Sequence, residues 1–344
     1  MLFRSVGYKN AISFSGAVRL VFNNGSRLYR GSAESFAEFH IKEKAQLVFN
    51  EGALFRIGLS KDGGTASGGT NLKLYPSWDA PSIVLNNGST MDVYHDNGDA
   101  KGIVEINGSV RYEKTYSWWN TSDPLINYKA IELSRVDSVL NLTWASSYRE
   151  TSVGDYHLRA GKFPRFDKSP MTGLGSVVID SDHTASSKAY TFKTKNTTTG
   201  SLSVVPNKNV DLYLDNGFAW AGTVVANGFV YLGNRDANSA SVVDIAKLDL
   251  QADFPVKVWK DENGKITGND VLNVGEYINN GGRLVPTLAD DGEFVLGDKI
   301  VLGEIGDSSP LPHVAKGWTA SRKTIDGKSM LVLSKGVGFL MIVR

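Results

Sequence analysis

The chain has 344 residues, a net charge of +1 and no cysteine. That length can bury a substantial core. The balanced charge sets aside a global field that would draw nucleic acid or an anionic membrane, and the missing thiols set aside disulfides, thiolate metal sites and cysteine nucleophiles. No apolar run reaches the roughly 18 residues of a membrane-spanning helix. A cysteine-free chain suits export, hence an extracellular or cell-surface location, although the stretch Met1 to Tyr8 lacks the apolar core and cleavage site of a signal peptide.

In chain order, short apolar stretches alternate with a period of two and are broken by Asn, Asp and Gly turns, the pattern of strands. The segment Ser35 to Ala45 suits either a helical turn or two, or a strand. A unit of strand, Asn-Gly corner and strand recurs at Leu20 to Leu28, Leu47 to Phe55 (with Glu51-Gly52), Ile83 to Met91 and Val104 to Val110, and returns at Leu212 to Phe218 and Val224 to Val230. Two architectures make such units. Asn-Gly between apolar runs signals a type I′ hairpin, and so antiparallel β-sandwich domains; it also suits the corners of a solenoid. Recurrence at irregular, rung-like intervals favours the solenoid, a right-handed parallel β-helix.

Between about 112 and 200 the repeat gives way to a stretch rich in Tyr, Trp, Ser and Arg, with Pro164 and Pro170 marking a loop. The expected organisation is therefore N-terminal rungs over 1–111, an aromatic and Ser/Thr-rich insertion or subdomain over 112–200, and C-terminal rungs with a cap over 201–344.

The last third carries five segments in order: Gly268 to Val274, ending in Asn273-Val274; Gly281-Gly282-Arg283-Leu284; Leu296-Gly297-Asp298 running into Lys299 to Leu302; Gly317-Trp318; and Ile325 to Leu333 around Asp326-Gly327. This series resembles the C-terminal rungs of autotransporter-type β-helical passenger domains. The resemblance implies an exported, elongated scaffold of stacked parallel strands and carries over no catalytic residue, since fold does not settle function. The pattern of a translocator barrel does not follow within the chain.

Little in the sequence points to chemistry, and no cofactor is expected. His40, His95, His157, His183 and His313 lie too far apart in sequence for a local zinc pair. Asp180-Ser181-Asp182-His183 is the best metal or acid–base candidate, but the favoured reading is a polar turn after the strand Val177 to Ile179, since nothing else supplies a ligand set. Asp92, Asp96 and Asp99, with Asp290 and Asp291, are available for glycoside cleavage. Asp261 to Gly264 lacks the ligand alternation of an EF-hand. Six Asn-x-Ser/Thr sequons stand at Asn24, Asn87, Asn107, Asn120, Asn141 and Asn196, the first three being repeat corners.

The aromatic residues Tyr116, Trp118, Trp119, Tyr128 and Trp144, with Tyr112, Tyr148 and Tyr156 beside them, fit three roles: subdomain core, protein interface or a surface stacking on sugars. The two chain ends are apolar and suit contact with another copy, through Phe3, Tyr8, Ile12 and Phe14 at one end and Phe339, Leu340 and Ile342 at the other. A basic head (Arg4, Lys9, Arg19, Arg27 and Arg30 precede the first acid, Glu34) and an acidic stretch over 261–307 add charge to a head-to-tail contact. The function expected is that of a non-enzymatic extracellular structural or adhesive protein that self-associates into a filament, sheath or layer. Its partners are itself and glycans, with no nucleic acid and no membrane span. A carbohydrate-active β-helix enzyme and a viral fibre or virion surface protein are the alternatives.

Overall fold

The computed structural model describes residues 12–30, 37–57, 70–93, 101–114, 128–144, 165–166, 169–181, 188–208, 210–233, 239–289 and 292–336. These residues form strands and no helix, as the two-residue alternation requires. The chain makes β1 (Ile12–Phe14), β2 (Arg19–Phe22), β3 (Arg27–Arg30), β4 (Ala37–Glu43), β5 (Gln46–Phe49), β6 (Leu54–Ile57), β7 (Thr70–Pro76), β8 (Ile83–Asn86) and β9 (Thr90–Val93). There follow β10 (Ile103–Asn107), β11 (Ser109–Lys114), β12 (Ala130–Leu133), β13 (Val139–Trp144), β14 (Arg165–Phe166), β15 (Met171–Gly173), β16 (Ser176–Ser181), β17 (Lys188–Phe192), β18 (Lys195–Asn196) and β19 (Ser201–Val204). Next come β20 (Val210–Leu214), β21 (Ala219–Ala226), β22 (Phe229–Leu232), β23 (Val242–Leu250), β24 (Phe254–Lys260), β25 (Ile266–Asn269), β26 (Val271–Asn279) and β27 (Leu284–Leu288). The chain closes with β28 (Lys299–Glu304), β29 (Trp318–Ile325) and β30 (Lys328–Lys335).

Over most of the chain successive strands enter different sheets, and each strand from β1 to β24, with β26 and β27, pairs in parallel with an earlier or later strand. One sheet runs β1-β4-β7, a second β15-β12-β10-β8-β5-β2, and an eleven-stranded third runs β26-β23-β21-β19-β16-β13-β11-β9-β6-β3 with β18 paired to β21. A fourth runs β14-β17-β20-β22. The repeat units align residue on residue, Leu20 with Leu47, Leu47 with Ile83 and Ile83 with Val104. The described part of Ser35 to Ala45 resolves in favour of a strand, β4 (Ala37–Glu43).

The Asn-Gly corners of the repeat units do not close hairpins. Asn23 to Ser26 closes a turn with Ser26 N–H donating to the Asn23 carbonyl at 2.8 Å, and only Gly25 takes a positive φ, 75°. One positive φ, at the third position, is a type II turn, which sends β3 into a different sheet from β2. A type I′ hairpin needs two, and that occurs at Asp326-Gly327 (φ 51° and 77°), where β29 and β30 do pair antiparallel. The antiparallel sandwich is thereby corrected for the repeat units. Antiparallel pairing among the described strands is confined to β24 with β25 and to the sheet β28-β30-β29.

The segment 112–200 also differs from expectation. Its strands β12, β13, β15 and β16 continue the second and third sheets across both expected boundaries, so its described part is not a separate subdomain. Residues 115–127, 145–164 and 182–187 lie outside the described set.

Inward positions form one apolar core along the stack. Because registry places like residues above one another, rings stack: Phe22 on Phe49 (centroids 4.7 Å, 9° between planes) and Phe166 on Phe192 (4.7 Å, 11°). At the corner an asparagine ladder climbs the rungs. Asn50 Nδ2 donates to Asn23 Oδ1 at 2.7 Å, Asn86 Nδ2 to Asn50 Oδ1 at 2.7 Å, and Asn107 Nδ2 to Asn86 Oδ1 at 3.2 Å. Deeper in the chain the buried Asp270 carboxylate accepts the Ser241 and Lys257 backbone N–H groups at 3.1 and 2.9 Å, tying the start of β23 to β24. Burial raises the pKa of that acid, against the pull of those two donors.

The final sheet docks on the stack through the bridges Val274 to Ile305 and Leu284 to Val314. The nearly buried pair Lys260–Asp298, 2.7 Å apart, holds it there, with Asp298 also accepting the Val295 N–H.

Candidate functional site

Alternation in β20 points Val210, Leu212 and Leu214 inward, each fully buried, and leaves Asp211 and Tyr213 outward. In β22 Val230 and Leu232 are buried, and Phe229 and Tyr231 face out. Parallel registry sets Asp211 beside Phe229 and Tyr213 beside Tyr231. The Tyr213 and Tyr231 centroids are 5.2 Å apart with planes at 22°, too close for rings lying edge to edge, so one ring covers a face of the other. The Phe229 and Tyr231 centroids lie 6.5 Å apart with nearly parallel planes, at 4°.

The aliphatic part of Asp211 is far shorter than a ring. Phe229 therefore has Asp211 rather than a ring as its register neighbour on β20, and it is 56% exposed. Phe229, Asp211 and Tyr213 thus share one outward patch, with the exposed Phe229 ring beside the stacked Tyr213–Tyr231 pair. Burial, and secondarily the Asp211 charge, hold the Tyr231 hydroxyl above the usual tyrosine range.

A second group lies on the outer face of the second sheet. Glu105 and Glu132 are register neighbours on β10 and β12. Burial first and the Glu132 charge second raise the Glu105 carboxyl, while a hydrogen bond with Ser134 opposes them.

The residues singled out from sequence scatter. Tyr128 is 1% exposed and belongs to the core, its hydroxyl 3.5 Å from that of the buried Tyr112; of its three expected roles this leaves the core and corrects the ligand or interface role, because β11 and the approach to β12 turn both rings inward. Tyr116, Trp118 and Trp119 lie outside the described residues, and Trp144 is placed by its backbone at the end of β13. Of the interface candidates, Phe3, Tyr8, Phe339, Leu340 and Ile342 lie outside the described residues. Ile12 and Phe14 belong to β1, and the Phe14 ring packs 5.4 Å from Phe39 against the core.

Asp180 ends β16 beside the buried Ser181, with Asp182 and His183 beyond the described set. Asp92 is placed by its backbone in β9, while Asp96, Asp99, Asp290 and Asp291 lie outside. Asp261 caps the β24–β25 turn, accepting the Asn263 and Lys265 N–H groups at 3.0 and 2.8 Å. Among the described residues no three His, Cys, Asp or Glu side chains gather as a metal site. Of the sequons, Asn24 and Asn87 are exposed at corners, Asn107 and Asn141 donate between rungs, and Asn196 is buried.

Sequence reasoning passed over Tyr213, Phe229 and Tyr231. The signal that finds them is their outward parity within two of the Asn-Gly repeats. No protein-family model matches the chain, and no curated protein matches it in sequence.

Proposed function

We propose that the chain is a right-handed parallel β-helix that works outside the cell or on its surface as a structural or adhesive protein, associates with copies of itself, and is not an enzyme. Right-handedness rests on the strong preference of parallel crossovers for that hand. The observation that carries the reading is the in-register parallel pairing sustained from β3 to β26, with polar side chains such as the asparagine ladder spent between rungs. A kinship with autotransporter passengers is part of the proposal. It is supported by where the five C-terminal segments fall: Asn273-Val274 in β26, Gly282 just before β27, Leu296 to Asp298 turning into β28, Trp318 opening β29, and Asp326-Gly327 turning into β30. Negative-stain electron microscopy at low and high salt tests the assembly. Ordered filaments or layers are expected, and isolated particles under every condition would remove self-association.

One observation favours a second reading, a carbohydrate-active β-helix enzyme. Glu105 and Glu132 are register neighbours on adjacent strands, and the charge of Glu132 helps to raise the Glu105 carboxyl; two neighbouring carboxyl groups, one of them raised, are what glycoside cleavage uses. Hydrolysis of a polysaccharide panel that is lost in Glu105→Gln and in Glu132→Gln would establish it, and no hydrolysis by the intact protein would remove it.

A further inference from the structure

We propose that the outward patch formed by Asp211, Tyr213 and Phe229 is a binding subsite for one hexopyranose ring of a neutral glycan. This inference rests on the surface-adhesive reading above and names what the surface holds. A pyranose has one face of C–H groups and a rim of hydroxyls. The C–H face calls for a flat apolar wall with a face open to solvent, which the 56% exposed Phe229 supplies. The hydroxyl rim calls for an acceptor at the wall's foot. Asp211, the register neighbour of Phe229, stands there, and a carboxylate accepts at about four lone-pair positions, so a sugar hydroxyl shares it with the contacts it already makes.

Parallel strands lie about 4.8 Å apart, so a ring stacked on Phe229 would come within reach of the Asp211 carboxylate on the neighbouring strand. Tyr213 and Tyr231, already stacked at 5.2 Å, serve as the rigid flank. The choice of a neutral sugar follows from charge. Asp211 sits close enough to Tyr231 to raise its hydroxyl pKa, and that negative charge disfavours uronic and sialic acids. A protein partner would instead find a strip interrupted by a carboxylate, where interface cores are depleted of charge.

The test is a glycan array bearing neutral glucan, mannan, galactan and N-acetylglucosamine oligosaccharides alongside sialylated and uronate-containing ones, probed with the full chain, Phe229→Ala, Phe229→Tyr and Asp211→Asn. Phe229 lies outside the core, so its substitution leaves the fold intact, which thermal unfolding checks. Binding to at least one neutral class is expected, at least tenfold weaker in Phe229→Ala, kept in Phe229→Tyr and reduced in Asp211→Asn. Absence of neutral-glycan binding, or binding indifferent to Phe229→Ala, overturns the subsite. Microscopy of the same variants separates the two proposals. Assemblies that persist without glycan binding leave the structural reading standing, whereas assemblies dissolved by Phe229→Ala assign this face to a second copy of the chain and overturn the sugar site.

Discussion

Gly222 lies so close to Gly200 that a Cβ placed on it would come within 2.0 Å of the Gly200 carbonyl oxygen. Gly200 meets the Gly175 carbonyl oxygen in the same way at 2.0 Å, and higher up the stack Gly306 meets that of Gly275 at 2.1 Å. These residues mark a corner where successive rungs approach backbone to backbone. A methyl group has no place there, and the neighbour that must yield is main chain rather than a flexible side chain.

Gly222→Ala and Gly200→Ala are therefore expected to cost more than about 3 kcal/mol each, or to abolish folding. Gly268→Ala, where nothing lies within 4 Å of the added atom, is the control, expected within about 0.5 kcal/mol of the parent. Urea unfolding followed by circular dichroism measures all three, and equal costs would contradict the close-packed corner.

The asparagine ladder makes a graded prediction. Asn50 both donates to Asn23 and accepts from Asn86, whereas Asn23 makes only the lower of these two bonds. Asn50→Ala is expected to lower stability by about 2 kcal/mol and Asn23→Ala by about 1 kcal/mol or less. Chemical denaturation in which the two substitutions cost the same would show that the ladder bonds contribute nothing cumulative.

Much of the fold was legible in sequence, and the reason is local. Period-two alternation and the Asn-Gly corners reflect constraints acting within a few residues, so strands such as β2, β5 and β8 and their shared pattern could be read directly. The choice between a type II and a type I′ turn at Asn24-Gly25 could not, because it depends on which sheet the next strand joins, and distant pairing sets that. Aromatic density left three roles open for the same reason: Tyr112 and Tyr128 are crowded in sequence and buried, and density says nothing of which way a side chain points. Outward parity marked Tyr213, Phe229 and Tyr231, yet their neighbourhood depends on how β20 and β22 align across the intervening β21.

The Glu105–Glu132 pair gives a pH dependence. The folded Glu105 carboxyl is raised above the ordinary 4.5, chiefly by burial. Its contribution to stability is thus fully present below the ordinary value and is lost as pH rises through the folded one. Glu105→Gln is expected to be the more stable protein at pH 7, by roughly 0.5 kcal/mol once solvent screening is allowed for, with the advantage shrinking as pH falls toward 4. Melting temperatures across that range measure it, and an advantage that grows on acidification would reverse the assignment.

Tyr277 offers a test of an internal polar group. Its ring is 1% exposed in β26, and its hydroxyl has no hydrogen-bond partner among the described residues. Burial pushes that hydroxyl far above the usual tyrosine range. Replacing it with Phe removes an unsatisfied buried group and leaves the packing, so Tyr277→Phe is expected to gain about 1 kcal/mol. A loss of that size would reveal a partner for the hydroxyl.

The stacked, in-register arrangement underlies every functional proposal, and the cysteine-free chain allows it to be tested directly. Val48 aligns with Val84, and Val84 with Glu105, on three successive strands of the second sheet. Adjacent parallel strands lie about 4.8 Å apart, within reach of a disulfide, whereas strands two rungs apart do not. Oxidation of double-cysteine variants, read by peptide mapping, should close the 48–84 and 84–105 pairs and leave 48–105 open. Closure of 48–105, or failure of both neighbouring pairs, would contradict the stack.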